Sequence, residues 1–286
     1  MSVVEKLGNV DRRIIFLLIA LAVIIPLVFQ ISFMEHPTPI VQSIFDEIES
    51  LPPGSKILLH FDYGPSTAPE LEPMAVAVTR HCCEKNHKLY IMALWPTGQA
   101  QAMRVIDQVL REEFPDKIYG VDYVHLGYKA GGYGLINTIL ADLKKMYTTD
   151  AEGTGIDDIP MMRDVQTLRD FAFICNFSAG FPGLKEWVQF AGDPGDIPVA
   201  GGTTAVSAPL LYPYYPRQML GMMGGLKGAA EYEAALVIGY PEYVHIYQRA
   251  ITIMGPQAIA HLVIIIFIII GNITFFIEKK RQKKTS

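Results

Sequence analysis

The chain is poor in cysteine, carries little net charge, and lacks the compact signatures of the common catalytic sites. Cys82, Cys83 and Cys175 are its three cysteines in 286 residues. Adjacent cysteines seldom pair with each other and the total is odd, which excludes a disulfide-stapled scaffold. One bridge from Cys175 to either neighbour, or three buried free thiols, both stay open. A net charge of -5 gives no case for nucleic-acid binding. No Gly-x-Ser-x-Gly elbow and no Walker A run occur, and Gly131-Gly-Tyr-Gly134 lacks the position and spacing of a dinucleotide fingerprint. His81, Cys82 and His87 fall near a helix end without zinc-ligand spacing, so no metal site is expected. No cofactor is identified.

What the sequence does have is apolar length. Ala258–Ile277 is uncharged and includes the run from Leu262 to Ile270, followed by Glu278 and by Lys279, Lys280, Arg281, Lys283 and Lys284. As a helix it rises about 30 Å, the thickness of a bilayer core, whereas a buried strand ends at about ten residues. Ile14–Met34 is a second uncharged stretch, preceded by Lys6, Arg12 and Arg13. A cleaved signal peptide competes with an anchor here, but the stretch is long for a signal core and no small-residue cleavage site follows it. Two spans are therefore expected, with the basic flanks on one side of the membrane. That reading makes 1–13 and 278–286 cytoplasmic ends, 14–34 and 250–277 membrane segments, 35–56 an amphipathic connector and 57–249 a domain on the periplasmic, lumenal or extracellular side. Gln30, Gln257 and His261 are the polar residues inside or at the rim of the spans. Without an acidic relay, two spans do not make a transporter.

Between the spans, roughly 215 residues suffice for one large domain. Strands are predicted at Lys56–Phe61, Lys88–Leu94, Val121–Leu126, Phe171–Phe177 and Ile197–Ala200, separated by helical periodicity. Five strands alternating with helices give an α/β fold with a mostly parallel sheet and helices on both faces. Right-handed crossovers make an open three-layer arrangement the natural one. Over Ile57–Val237 this order resembles Rossmann-like domains, without a diagnostic motif. An acidic insertion, 147–162, reads as a surface loop.

In a parallel sheet all strand ends lie on one edge, the usual place for a ligand. The residues there define a candidate small-molecule site: Asp62, Ser66, Thr67, Thr97, Lys129, Gly131, Gly132, Asn176, Ser178, Thr203 and Thr204. Small residues let backbone amides approach a ligand and helix starts favour negative groups, yet every strand-to-helix turn needs such residues whether or not anything binds. Asn176-Phe-Ser178 also matches a glycosylation acceptor. A helix is expected over Gln218–Val237, with Gly221, Gly225 and Gly228 near one face. Glycine costs roughly 1 kcal/mol there relative to alanine, which asks for close packing on the domain's own sheet or on another subunit. Tyr214 and Tyr215, before that helix, suit an interface with protein or lipid.

The function expected is a non-catalytic scaffold or assembly subunit of a homo- or hetero-oligomeric membrane complex, with a small ligand at the sheet edge. The alternatives are a membrane-anchored hydrolase or transferase using Asp62 and a strand-end hydroxyl, and an extracytoplasmic sensor subunit.

Overall fold

The computed structural model describes residues 11–29, 31–33, 35–246 and 248–285. Lys6, Gln30 and Met34, and the side chains of Arg281, Lys283 and Lys284, lie outside the described residues. The chain forms two units, an α/β body from Glu35 to Ala250 and a helical unit made from both ends.

The body holds six parallel strands: β1 (Lys56–Asp62), β2 (Lys88–Ala93), β3 (Tyr123–Tyr128), β4 (Phe173–Ser178), β5 (Val199–Thr203) and β6 (Gly221–Gly224), in the order 3-2-1-4-5-6. This is the doubly wound order, reversing between β1 and β4. The resemblance to Rossmann-like domains rested on five strands; the sixth lies inside the stretch expected to be helical. Alternation along β1 sends Ile57, Leu59 and Phe61 to one face and Leu58, His60 and Asp62 to the other. The first face is covered by α3 (Ala68–Glu84), α4 (Pro96–Val105) and α7 (Gly225–Gly239), with α2 (Pro39–Ser50) against β6 and α7. Val41, Ile44, Phe45 and Ile48 of α2 are buried there, so the amphipathic connector belongs to the body's core. On the second face Leu58, Tyr90, Met92 and Val124 pack under Leu135, Ile136 and Ile139 of α5 (Gly132–Ala141) and under Trp187 of α6 (Leu184–Trp187).

The glycines expected on one helix face are spread over two elements. Gly221 is in β6, where a Cβ would come within 2.6 Å of the Ile40 carbonyl oxygen of α2. Gly225 opens α7 at φ +60°, and a Cβ on Gly228 would come 2.7 Å from Met223 backbone. All three leave room for this chain's own elements. A Gly-Met-Met-Gly-Gly run makes a poor helix but a serviceable short strand where neighbours approach closely.

The expectation of two membrane spans is corrected. The first apolar stretch is helical only over α1 (Arg12–Val28), 17 residues, a rise of about 26 Å. Pro26 has no amide to donate, and the Phe29 amide caps the end by reaching back to the Ile25 carbonyl. Among the described residues one helix is long and apolar enough to cross a membrane, α8 (Arg249–Thr285), over its segment Arg249–Ile277. Leu262, Ile265, Ile266, Ile268 and Ile269 are exposed along it, unlike the side chains of a soluble core helix. A two-pass topology with both termini cytoplasmic is therefore not supported, nor is the placement of the central domain that followed from it. Within the helical unit Gly255 of α8 lies under the Ile31 carbonyl, where a Cβ would come within 1.9 Å.

Candidate functional site at the strand ends

Where the strand order reverses, Asp62 of β1 and Ser178 of β4 are paired in register. Asp62 is completely buried. Its Oδ1 accepts the amides of Leu94 (2.8 Å) and Trp95 (3.1 Å), and its Oδ2 accepts the Asn176 side-chain amide (3.2 Å) and lies 2.7 Å from Nδ1 of His60. The Asn176 nitrogen also sits 3.0 Å from that Nδ1. Both nitrogens donate to the same carboxylate oxygen if His60 carries its proton on Nδ1, which leaves Nε2 with a lone pair. His60 Nε2, Asn176 Oδ1 and Trp187 Nε1 have no hydrogen-bond partner, and the His60 and Trp187 rings lie 4.5 Å apart. Trp95, whose amide Asp62 accepts, donates from Nε1 to the Pro182 carbonyl (3.0 Å), and its ring lies beside Gly180. Asn176 is fully buried, so it is no exposed glycosylation acceptor.

The open space lies one strand further on. Between the ends of β4 and β5 a cavity of about 250 Å³ is lined by the expected residues Ser178 and Thr203 and by Ser207, Lys185, Phe181, Leu184, Leu210 and Leu211. Its hydroxyls are engaged: Ser178 Oγ accepts the Leu184 amide at 2.8 Å, and Thr204 Oγ1 donates to Ser207 Oγ at 3.1 Å. Glu186, at the same wall, accepts the Gly183 amide at 2.8 Å.

The other candidates are scattered along the edge. Thr97 and Thr67 bond to the carbonyls of Tyr63 and Gly64, and Ser66 is exposed. Lys129 stands 5.6 Å over the buried Tyr147 ring, with Gly131 and Gly132 opening α5 at the end of β3, which β2 and β1 separate from β4. Tyr214 accepts from Gln189, while Tyr215 is half-buried. The structure thus unites Ser178 with Thr203, and Asp62 with Asn176, but does not bring the set together. His60 was missed; the His-x-Asp spacing on a strand, placing both side chains on one face, was its signal.

A second polar cluster lies on the opposite face. Glu49 of α2 accepts from Lys85 (2.9 Å), from His81 Nε2 (2.9 Å) and from the Tyr240 hydroxyl, and Tyr232 donates to His81 Nδ1 (2.8 Å). Burial pushes the His81 imidazole down to about 4 against the pull of Glu49. For Glu49 burial acts upward, but hydrogen bonds from Tyr240, Lys85 and His81 hold it at about 2. A neutral imidazole donating from Nε2 to a carboxylate satisfies both. All three cysteines are free and buried. Among the described residues no group of three His, Cys, Asp or Glu side chains is placed to hold a metal ion.

Comparison with protein-family models, with curated proteins and with solved structures finds no match to this chain.

Proposed function

We propose that this chain is a membrane-tethered, non-catalytic subunit whose α/β body holds a small ligand between the ends of β4 and β5. The observation that carries the reading is the cavity beside Ser178 and Thr203, at the edge where doubly wound sheets take their ligands. Leucine and phenylalanine walls with hydroxyls, one lysine and the Glu186 carboxylate suit a ligand with an apolar body and a polar end. Binding is favoured over turnover because Ser178 already serves as an acceptor for the Leu184 amide, and Asp62 is spent on amides. Neither forms a nucleophile–base pair.

Native mass spectrometry of the full chain in mild detergent tests this. The expected result is retained non-protein mass and association with further subunits, the small-molecule mass being lost on Ser207→Phe, which fills the cavity. A bare monomer in both samples overturns the reading.

One observation favours a second reading, a membrane-anchored hydrolase or transferase. An imidazole oriented by a buried carboxylate at 2.7 Å is the orienter–base half of a catalytic triad. It needs Trp95 or Trp187 to move before a substrate reaches Nε2. Turnover of a chromogenic ester or phosphate that vanishes in a folded His60→Gln variant supports it; unchanged turnover removes it.

A further inference from the structure

Both ends of the α/β body leave from the strand-end side of the sheet. Glu35, its first residue, pairs with Lys227 in the first turn of α7. At the other end Arg249 pairs with Glu72 near the start of α3 (2.7 Å), and the Ala250 amide donates to Glu233 (3.0 Å). Helices that follow parallel strands begin at the carboxyl edge, so Lys227 and Glu72, near the starts of α7 and α3, mark that edge, while Glu233 lies midway along α7. The apolar helix α8 starts at Arg249 itself, with no linker between.

The same edge carries an unusual loop. After β5 the Ala205 amide is held by Glu70 (2.8 Å), two residues before Glu72 on α3. From there the chain exposes Val206 (88%), Leu210 (72%) and Tyr212 (55%), with Phe181 (64%) across the cavity from Leu210. Large exposed apolar side chains gathered in one place mark an interaction site. Tyr212, Tyr214, Tyr215 and Arg217 follow in sequence, the amphipathic and cationic types that collect at a membrane–water interface. No acidic residue occurs from 197 to 230, while Arg217 and Lys227 do, which suits an anionic surface; the carboxylates beside the loop, Glu70 and Glu186, are each engaged by a backbone amide.

We infer that the loop 205–215, with Phe181 beside it, is a docking surface for the phospholipid bilayer that α8 enters. The loop's first amide is held by α3, the helix that also carries the Glu72 partner of Arg249, and its leucine, valine and tyrosine side chains gain by leaving water for the interfacial region.

Spin labelling of the full chain in nanodiscs of phosphatidylcholine and phosphatidylglycerol tests this, because the three native cysteines are buried and leave an introduced one to react. Labels go on Val206→Cys and Leu210→Cys, with Val121→Cys, exposed before β3, as the aqueous reference and Ile266→Cys as the lipid reference. The expected result is that 206 and 210 collide with oxygen several-fold more, relative to a nickel complex, than 121 does. A ratio equal to that at 121 overturns the inference. Exclusion of both reagents at 206 and 210 means a protein covers the loop, and also overturns it. An aqueous reading at 266 removes the membrane helix and the loop's role with it.

Discussion

The His60 imidazole and the Asp62 carboxylate meet at 2.7 Å on one face of β1, and neither side chain reaches solvent. Two residues apart on a strand, they share the face that also carries Asn176 of β4, and Asp62 closes the gap to β2 through two backbone amides. The arrangement fixes three strand ends to one carboxylate. Its worth is largest when it is broken, because the donors left behind are buried.

Replacing Asp62 by alanine strands those donors. The expected loss of stability is about 3 kcal/mol or more, since each buried donor left without an acceptor costs about 1–3 kcal/mol. Asp62→Asn, which keeps one acceptor oxygen, loses less. Thermal unfolding followed by circular dichroism in detergent checks both, and an Asp62→Ala melting temperature equal to wild type contradicts the assignment.

Acid should begin to destabilise the body as pH falls below about 6.5. His81 and His125 are both buried, and burial pushes each down to about 4 from an ordinary 6.5. A folded value below the unfolded one means the unfolded chain binds the proton first. The stability contributed is therefore full above pH 6.5 and is lost as pH falls through 4, up to about 3 kcal/mol per histidine. Glu49 adds to this only further down, since its folded value of about 2 lies below the ordinary 4.5. Melting temperature against pH should fall steeply between 6.5 and 4, and His81→Asn should flatten that slope. A level profile across the interval rules the prediction out.

Two glycine substitutions should move stability in opposite directions. A Cβ on Gly201 of β5 would stand 1.9 Å from the Asn176 carbonyl oxygen, so Gly201→Ala forces two central strands apart. The cost expected is about 3 kcal/mol or more, the upper end for overpacking. Gly134, in α5, has no atom within 4 Å of an added Cβ and no left-handed φ. Gly134→Ala should stabilise by up to about 1 kcal/mol. Paired urea melts read both signs at once.

Much of the sheet was legible because turn chemistry punctuates it. Asp62-Tyr-Gly-Pro, Trp95-Pro-Thr-Gly and the glycine run after Gly127 each stop a strand and start a helix, which is enough to read the βαβ order and to put these turns on one edge. β6 was not legible: four residues of glycine and methionine inside an apolar stretch carry no period, and only the close approach of α2 explains them. The first membrane span failed for a related reason. Hydropathy counts uncharged residues, whereas the helix that forms is only 17 residues long. At the site, spacing identified which residues stand at strand ends but not their depth; Asp62 and Asn176 are sealed while Ser178 and Thr203 reach a cavity, a difference set by Trp95 and the loop after β5.

The α2 segment settles where a soluble fragment of this protein has to be cut. The Thr38 amide and hydroxyl both donate to Glu231 of α7, at 2.9 and 2.5 Å, and Ser43 Oγ donates to the Leu220 carbonyl beside β6 at 2.8 Å. A recombinant version trimmed to the first strand would bare the hydrophobic side of β6 and α7 and precipitate. One that begins at Glu35 and stops after Ala250 keeps its own lid, and is the version to crystallise.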